Sequence, residues 1–488
     1  MNEDNRPEAG EAAVKKDAAS RLGTDKVGAL LLRFSIPAIT GMLVNALYNV
    51  VDRIFVGRGV NEIALGGLSL VMPLMTLSLA FAMLIGVGAA NLISMRLGQQ
   101  RRGDAENALN HCFRLLAVVG AVLMVLELVF LDPLLKLFLT GATDDGGGIL
   151  EYARSYYRII LFGSVFLQVG FGFSHCTRAQ GFPMVSMIGM IIGAGLNLIL
   201  DPIFIFGFHW GVEGAAWATI ISQAVSAFYV LSFASSKKAV VRLRFRAFSF
   251  DRRIALDIFS FGMAQFLLQL AMSTVQLLQN MAMTRYGAAG LGVENGGAVA
   301  LSGMTIIGSV AMLVLMPVFG INQGAQPVLG YNYGAKKWAR VFSAFTRASL
   351  AATAVTTFGF LVAQFFAPQL VSLFVPDASE ALRAFAPKAM RIGMLVFPLI
   401  GFQIVASNMF VVTGRPKVSI FLSMLRQVII LIPCILIFGK IWGLFGVVWA
   451  APVSDAAALV VTAILSVREM KKLRRMAQEA AERPATQN

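Results

Sequence analysis

Roughly a dozen apolar blocks follow one another along this chain, each about 20–28 residues long, enough to cross the ~30 Å hydrocarbon core of a bilayer. That pattern constrains the fold more than any motif does. The composition agrees: 57% of the 488 residues are hydrophobic and 14% are charged, where a soluble chain carries about 25% charge. Length alone would allow several soluble domains, but this composition excludes them. The expected fold is an all-α polytopic membrane protein of twelve transmembrane helices. They are placed near 34–57, 65–95, 112–132, 156–177, 184–207, 214–234, 257–283, 297–329, 343–366, 387–412, 418–439 and 444–467.

The net charge of +15 first suggests nucleic acid, until the basic residues are sorted by position. With the N-terminus inside, thirty of the 41 Lys and Arg fall in inside segments, ten fall outside, and Arg426 lies within a span. A threefold bias obeys the positive-inside rule. Both termini are therefore expected in the cytoplasm, and no nucleic-acid partner is expected. Residues 1–29 read as a mobile cytoplasmic tail without the apolar core of a signal peptide, and 468–488 as a second tail. Cys112, Cys176 and Cys434 lie in or beside apolar segments with no paired or metal-ligand spacing, so neither a structural disulfide nor zinc is expected.

An internal duplication organises the rest. Phe206-Gly207-x-x-Trp210-Gly211-x-x-Gly214-x-x-Trp217-Ala218 recurs as Phe438-Gly439-x-x-Trp442-Gly443-x-x-Gly446-x-x-Trp449-Ala450 at one constant offset. Gly181-x-Pro183-x-Val185-Ser186 returns as Gly414-x-Pro416-x-Val418-Ser419, and Gly88-Ala89 with Gly98 as Gly324-Ala325 with Gly334. Each copy holds six expected helices. An even number means that both copies enter the membrane in the same sense, as parallel repeats about an axis along the membrane normal. The expected organisation is an N-lobe (30–234), a basic cytoplasmic linker (235–256) and a C-lobe (257–467). Two lobes facing one another across a central cavity suit a rocking carrier better than a channel, which usually gains its symmetry by oligomerising.

The run Gly320-Ile-Asn-Gln-Gly-Ala-Gln-Pro-Val-Leu-Gly-Tyr-Asn-Tyr-Gly-Ala-Lys336 resembles the second-repeat signature of the MATE (multidrug and toxic compound extrusion) family, and more narrowly its MepA-like branch. The first-helix pattern Pro37…Gly41…Asn45…Tyr48…Asp52…Gly57 is similar as well, as are Arg178-Ala-Gln-Gly181-x-Pro183 and Asn197-x-x-x-Asp201-Pro202. The resemblance covers residues 30–467. It implies a twelve-helix, two-lobe antiporter that expels organic, often cationic compounds against inward flow of H+ or Na+.

The residues point to the coupling site independently. A charge at the bilayer centre costs about 2.5–3.5 kcal/mol on insertion scales and marks function by default. Asp52, Glu127, Asp201 and Asp455 are the acids that qualify. Asn197 shares a helix face with Asp201, and Pro202 removes a backbone donor beside them, freeing carbonyl oxygens for a cation. Tyr48 stands one turn from Asp52. Shifted by the repeat offset, Asn197, Asp201 and Thr219 fall on Ile429, Pro433 and Ala451, so the polar cluster exists in the first half only. A need common to both copies would have kept something like it in the second. Asp52, Tyr48, Asn197, Asp201 and Thr219 are therefore the expected cation-coupling residues, with Na+ as a possible occupant at Asp52, Asn197, Asp201 and Thr219. The resemblance places the same network there.

Other polar residues are weaker signals. Glu127 is expected near the outer surface, and Asp455 is expected to form a structural ion pair with Arg426 rather than a second coupling site. His111, His175 and His209 fall near span ends and read as interfacial. Gln265, Gln269, Gln276, Gln279 and Asn280 decorate one helix at spacings of three to four and either line the cavity or bind neighbouring helices. Met42, Phe266 and Met272 are candidates for an adaptable apolar pocket. Gly189-x-x-x-Gly193 reads as close helix packing. No phosphate loop, His-Glu-x-x-His or Gly-x-Ser-x-Gly is present, so neither ATP drive nor an enzyme is expected, and no cofactor beyond the coupling ion. The expectation is a monomeric multidrug exporter in the cytoplasmic (inner) membrane, working on small toxic organic cations. Its rivals are a lipid-linked precursor flippase of the same superfamily, which would favour a strongly cationic cavity, and a channel or membrane scaffold, which has no use for a one-sided carboxylate cluster.

Overall fold

The computed structural model describes residues 19–59, 62–138, 149–244, 251–293, 295–376 and 379–482; most of the expected N-terminal tail and the chain's last six residues lie outside them. In hydrocarbon every backbone N–H and C=O needs a partner within the protein, and a helix supplies one locally. The described residues accordingly form helices and connecting turns, with no strand among them. In chain order these are α1 Val27–Gly59, α2 Glu62–Gly98, α3 Arg102–Val129, α4 Leu131–Phe138, α5 Ile149–Ala179, α6 Pro183–Pro202, α7 Gly211–Ser235, α8 Arg252–Gly290, α9 Gly296–Gly334, α10 Trp338–Phe365, α11 Ala367–Phe374, α12 Glu380–Gly393, α13 Phe397–Val412, α14 Pro416–Met424 and α15 Ile432–Glu482. Two π-helical segments, Ile203–Gly207 and Leu425–Leu431, continue α6 and α14.

Ten of these helical stretches are long and apolar enough to span a bilayer. One, Pro416–Glu479, is two helices in sequence, because the chain breaks at Gly443 (φ 61°, ψ −139°). A further span is the bent pair α12 and α13. Together they make the twelve expected crossings. The stretch expected as one helix over 387–412 is corrected here: it is broken at 394–396 and bent by 46°. Pro398 explains the break, since it cannot donate to the turn before it; Phe397 and Leu399 instead donate to Met394 O and Val396 O.

The duplication is written into the backbone. Each of the three sequence echoes carries a matched pair of left-handed residues: Gly211 and Gly443 (φ 56° and 61°), Gly181 and Gly414 (100° and 74°), Gln100 and Lys336 (62° and 55°). Side chains with a Cβ pay to enter this region, so glycine at four of the six sites follows. The short helices α4 and α11 are one more pair that the echoes do not mark. Both follow directly on a long helix, after Phe130 and Phe366, and both end in Leu-Phe (Leu137-Phe138, Leu373-Phe374). At the Trp echo, Trp210 packs at a tilt against Phe204 and Phe208, and Trp442 against Phe438. All four echo tryptophans are exposed, as suits amphipathic rings at a membrane–water boundary.

The chain divides into two compact units, 1–266 with 330–336, and 267–329 with 337–488. In the first, α5 packs on α2, α3 and α7, while α1 and α7 flank α6. Its core gathers Leu74, Leu131, Leu135, Tyr156, Tyr157 and Ile205. The close packing expected at Gly189 and Gly193 is present: Ser226 donates to Gly189 O at 2.7 Å across the α6–α7 contact. The end of α9 crosses α2 with backbones touching. A Cβ on Gly98 would stand 2.0 Å from Tyr331 O, and one on Gly334 would stand 2.1 Å from Met95 O. In the second unit, α10 packs on α13, and α15 folds back along the π segment after α14.

The basic linker is a strap laid on the first unit. Ala239, Val240 and Val241 are buried. Val241 N–H donates to Gln180 Oε1 (3.1 Å), Arg244 N–H donates to Asn110 Oδ1 (2.9 Å), and the Arg244 guanidinium pairs with Glu106 at 2.7 Å. Farther along, Asp251 N–H donates to His111 Nε2 at 2.9 Å. His111 and His175, expected near span ends, are buried within the protein, and His209 is exposed.

Candidate functional site

α6 brings Asn197 and Asp201 to one face, a turn apart, and α7 presents Thr219 to them. Asn197 Nδ2 donates to Asp201 Oδ1 at 3.1 Å and reaches Thr219 Oγ1 at 3.4 Å. All three side chains are at most 4% exposed. Asp201 Oδ2 is buried and receives no hydrogen bond from the described residues. From α1, Asp52 approaches Asp201 within hydrogen-bonding reach, and the Tyr48 hydroxyl lies in the field of both carboxylates. The structure therefore brings together the five residues expected to form the coupling site.

It also adds a residue that the sequence reading missed. Tyr156 of α5 is buried beside Asp52, Asp201 and Tyr48 and hydrogen-bonds Thr219. Its only sequence signal is the Tyr156-Tyr157 doublet inside an apolar block. The helix continues past Pro202 as a π turn rather than an α turn, a local widening that is frequent at functional sites.

Two carboxyl groups in contact, away from bulk water, cannot both carry charge unless something positive is shared between them. One proton serves. So does a small hard cation that takes oxygen ligands, and the cluster offers carboxylate, amide and hydroxyl oxygens.

Glu127, expected near the outer end of its span, is packed inside the protein. It lies near the end of α3 but is 4% exposed, accepting from Tyr157 at 2.8 Å and from Ser78 at 3.3 Å. Consecutive tyrosines of α5 thus serve two acids, Tyr156 facing the Asp52–Asp201 pair and Tyr157 facing Glu127. In the second unit Arg426 Nη1 meets Asp455 Oδ1 at 3.4 Å, the pair expected from their depth.

The residues proposed for a substrate surface are distributed over both units. Met42, Gln265 and Phe266 belong to the first, where Phe266 packs against Phe81 at 4.9 Å. Gln269, Met272, Gln276 and Asn280 belong to the second. Met272 and Gln276 are exposed, and the other five are half-buried.

With that geometry in place, the MatE family model matches residues 37–203 and 266–436, more than half of the chain. That match, on a polytopic helical chain, defines a membrane transporter and not an enzyme. The chain belongs to the MatE family of membrane transporters. It is 26% identical to the multidrug export protein MepA of Staphylococcus haemolyticus over 452 residues, covering 90% of this chain and 93% of that protein. The MepA of Staphylococcus aureus is 26% identical, with 90% and 94% covered. Among solved structures, a MATE in the bent conformation superposes with TM-score 0.86 at 26% identity, covering 95% of this chain and 99% of that one. An outward-facing multidrug resistance MATE family transporter of the MOP superfamily gives 0.83 at 25% identity, covering 96% and 100%.

Proposed function

We propose that this protein is a secondary-active multidrug exporter that expels organic, often cationic compounds in exchange for H+ or Na+. The observation that carries the reading is the one-sided cluster of half-buried Asp52 and Tyr48 with buried Asn197, Asp201 and Thr219, joined by buried Tyr156. The cluster has no counterpart in the second half, and Asp201 Oδ2 receives no hydrogen bond from the described residues. The coupling ion enters beside Asp201 and alternates with the emptied state as the transporter opens in turn to the two sides of the membrane. One charge falling through ~150 mV supplies about 3.5 kcal/mol, enough for a several-hundred-fold gradient of a neutral substrate. The relatives named for multidrug export support the choice of substrate class. In this reading the protein sits as a monomer in the cytoplasmic membrane with both termini inside, and Met42, Gln265, Phe266, Gln269, Met272, Gln276 and Asn280 contribute to the drug surface.

The test is ethidium accumulation in pump-deficient cells, followed by everted vesicles energised with a proton gradient and then a sodium gradient. The protein lowers accumulation, and Asp201→Asn, which keeps the shape but loses the carboxylate, abolishes export. Full activity in Asp201→Asn overturns the coupling assignment. The gradient that drives ethidium identifies the ion.

A further inference from the structure

Arg426 and Asp455 are charges that the coupling cluster does not use. Arg426 lies about 15 Å along its span from Pro416, half the ~30 Å hydrocarbon thickness, and Asp455 lies at a similar depth on the next span. The pair is as one-sided as the acid cluster: the repeat offset places Ala194 and Gln223 at these positions in the first half.

The contact itself is weak for buried ions. A single N–H···O approach of 3.4 Å joins them, where a charge-assisted pair usually closes to 2.7–2.9 Å and an arginine often engages a carboxylate through two bonds. Arg426 has five N–H donors, and this is its guanidinium's one hydrogen bond among the described residues. Yet the residue is held firmly in place. Its carbonyl accepts from Ser454 Oγ at 2.7 Å, so Ser454 and Asp455 of α15 grip its backbone and side chain together. Arg426 also sits in the π segment Leu425–Leu431, where the wider turn sets the side chain apart from the regular helix face. The side chain is 22% exposed and Asp455 14%. A charged residue at this depth faces a water-filled cavity or the bundle interior rather than lipid, so the remaining donors are open to whatever occupies that space.

We propose that Arg426 is an anion-accepting subsite of the transport pathway, which takes the carboxylate of zwitterionic or acidic substrates. Asp455 is its internal competitor: it keeps the guanidinium neutralised when no substrate carboxylate is bound, and yields it when one arrives. The geometry suits exchange, because a planar carboxylate offers Arg426 two short bonds in place of one long one. The substrate range thereby widens from cations to molecules carrying both signs. The inference rests on the export reading above.

A matched dye pair tests it. Rhodamine 110 has a free benzoate, and rhodamine 123 is its methyl ester. Export of each is measured in everted vesicles for the unaltered protein, Arg426→Gln, Asp455→Asn and the double variant. Removing a bond to a charged group predicts that Arg426→Gln lowers the acid-to-ester rate ratio about tenfold or more, while Asp455→Asn raises it. An unchanged ratio in both single variants overturns the proposal. If Arg426→Gln loses all transport because Asp455 is left buried alone, the double variant decides: loss of the acid with retention of the ester supports the subsite, and a normal ratio overturns it. Equilibrium binding of the two dyes to purified protein, read by fluorescence anisotropy, gives the same ratio without transport. Failure of the unaltered protein to export the ester therefore counts against the export reading alone, and the binding ratio still judges Arg426.

Discussion

The side-chain amide of Asn197 donates to Asp201 Oδ1 at 3.1 Å and so orients the carboxylate whose other oxygen receives no hydrogen bond from the described residues. A hydrogen bond to a charged group contributes about 1.5–3 kcal/mol, while a neutral one contributes about 0.5–1.5. Asn197→Ala should therefore slow ethidium export about tenfold or more. Tyr156→Phe, which removes only the hydroxyl paired with Thr219, should slow it by about two- to tenfold. Initial rates in everted vesicles check the order. If Tyr156→Phe proves more damaging than Asn197→Ala, Tyr156 has a larger part than orienting Thr219.

Glu127, Tyr157 and Ser78 form a buried acceptor with two donors from neighbouring helices. Removing a partner leaves a buried polar group unsatisfied, at about 1–3 kcal/mol. Tyr157→Phe and Glu127→Leu should each lower the melting temperature of the purified protein in detergent. The double variant should be no worse than the more damaging single one, because both ends of the bond are gone. Simple addition of the two losses would show that the two residues stabilise the fold independently.

How much of this was legible before the structure follows from the range of each interaction. Spans, the repeat and the Asn197–Asp201 pair are local or periodic in sequence, and all three appear where the residues place them. Thr219 became readable because the duplicate lacks the cluster, and Asp52 because a carboxylate inside an apolar span stands out. Tyr156, the burial of Glu127, and the 3.8 Å approach of Cys112 to Cys176 depend on which helix faces which, and nothing in an apolar block encodes that. The broken span at 394–396 is an intermediate case: Gly393 and Pro398 are visible signals, but hydropathy runs smoothly across them.

The strap over 236–244 should be protease-resistant despite four Lys and Arg in it. Its backbone donors are capped by Gln180 and Asn110, and cleavage of a bound segment requires local opening. Replacing both side chains, as Gln180→Ala with Asn110→Ala, removes two bonds of about 0.5–1.5 kcal/mol each. Trypsin cleavage at this segment should then accelerate by roughly tenfold or more. Rapid cleavage of the unaltered protein would contradict a bound strap.

Two glycines of the repeat should fail for different reasons when changed to alanine. Gly443 sits at φ 61° with nothing within 4 Å of an added Cβ. Its penalty is therefore conformational, about 1–3 kcal/mol for an L residue held in a sparsely populated positive-φ region. Gly334 lies in a regular helix, but an added Cβ would meet Met95 O at 2.1 Å, and a carbonyl cannot move unless α2 and α9 separate. Gly334→Ala should therefore cut the yield of folded protein far more than Gly443→Ala. In the second case Asn should partly rescue, because Asn, after Gly, is favoured at the positive-φ position of type II′ turns, whose backbone Gly443 approaches. Fluorescence size-exclusion profiles of the three variants measure this. Equal losses for Gly443→Ala and Gly443→Asn would mean that the break between the last two spans is set by packing rather than by backbone conformation.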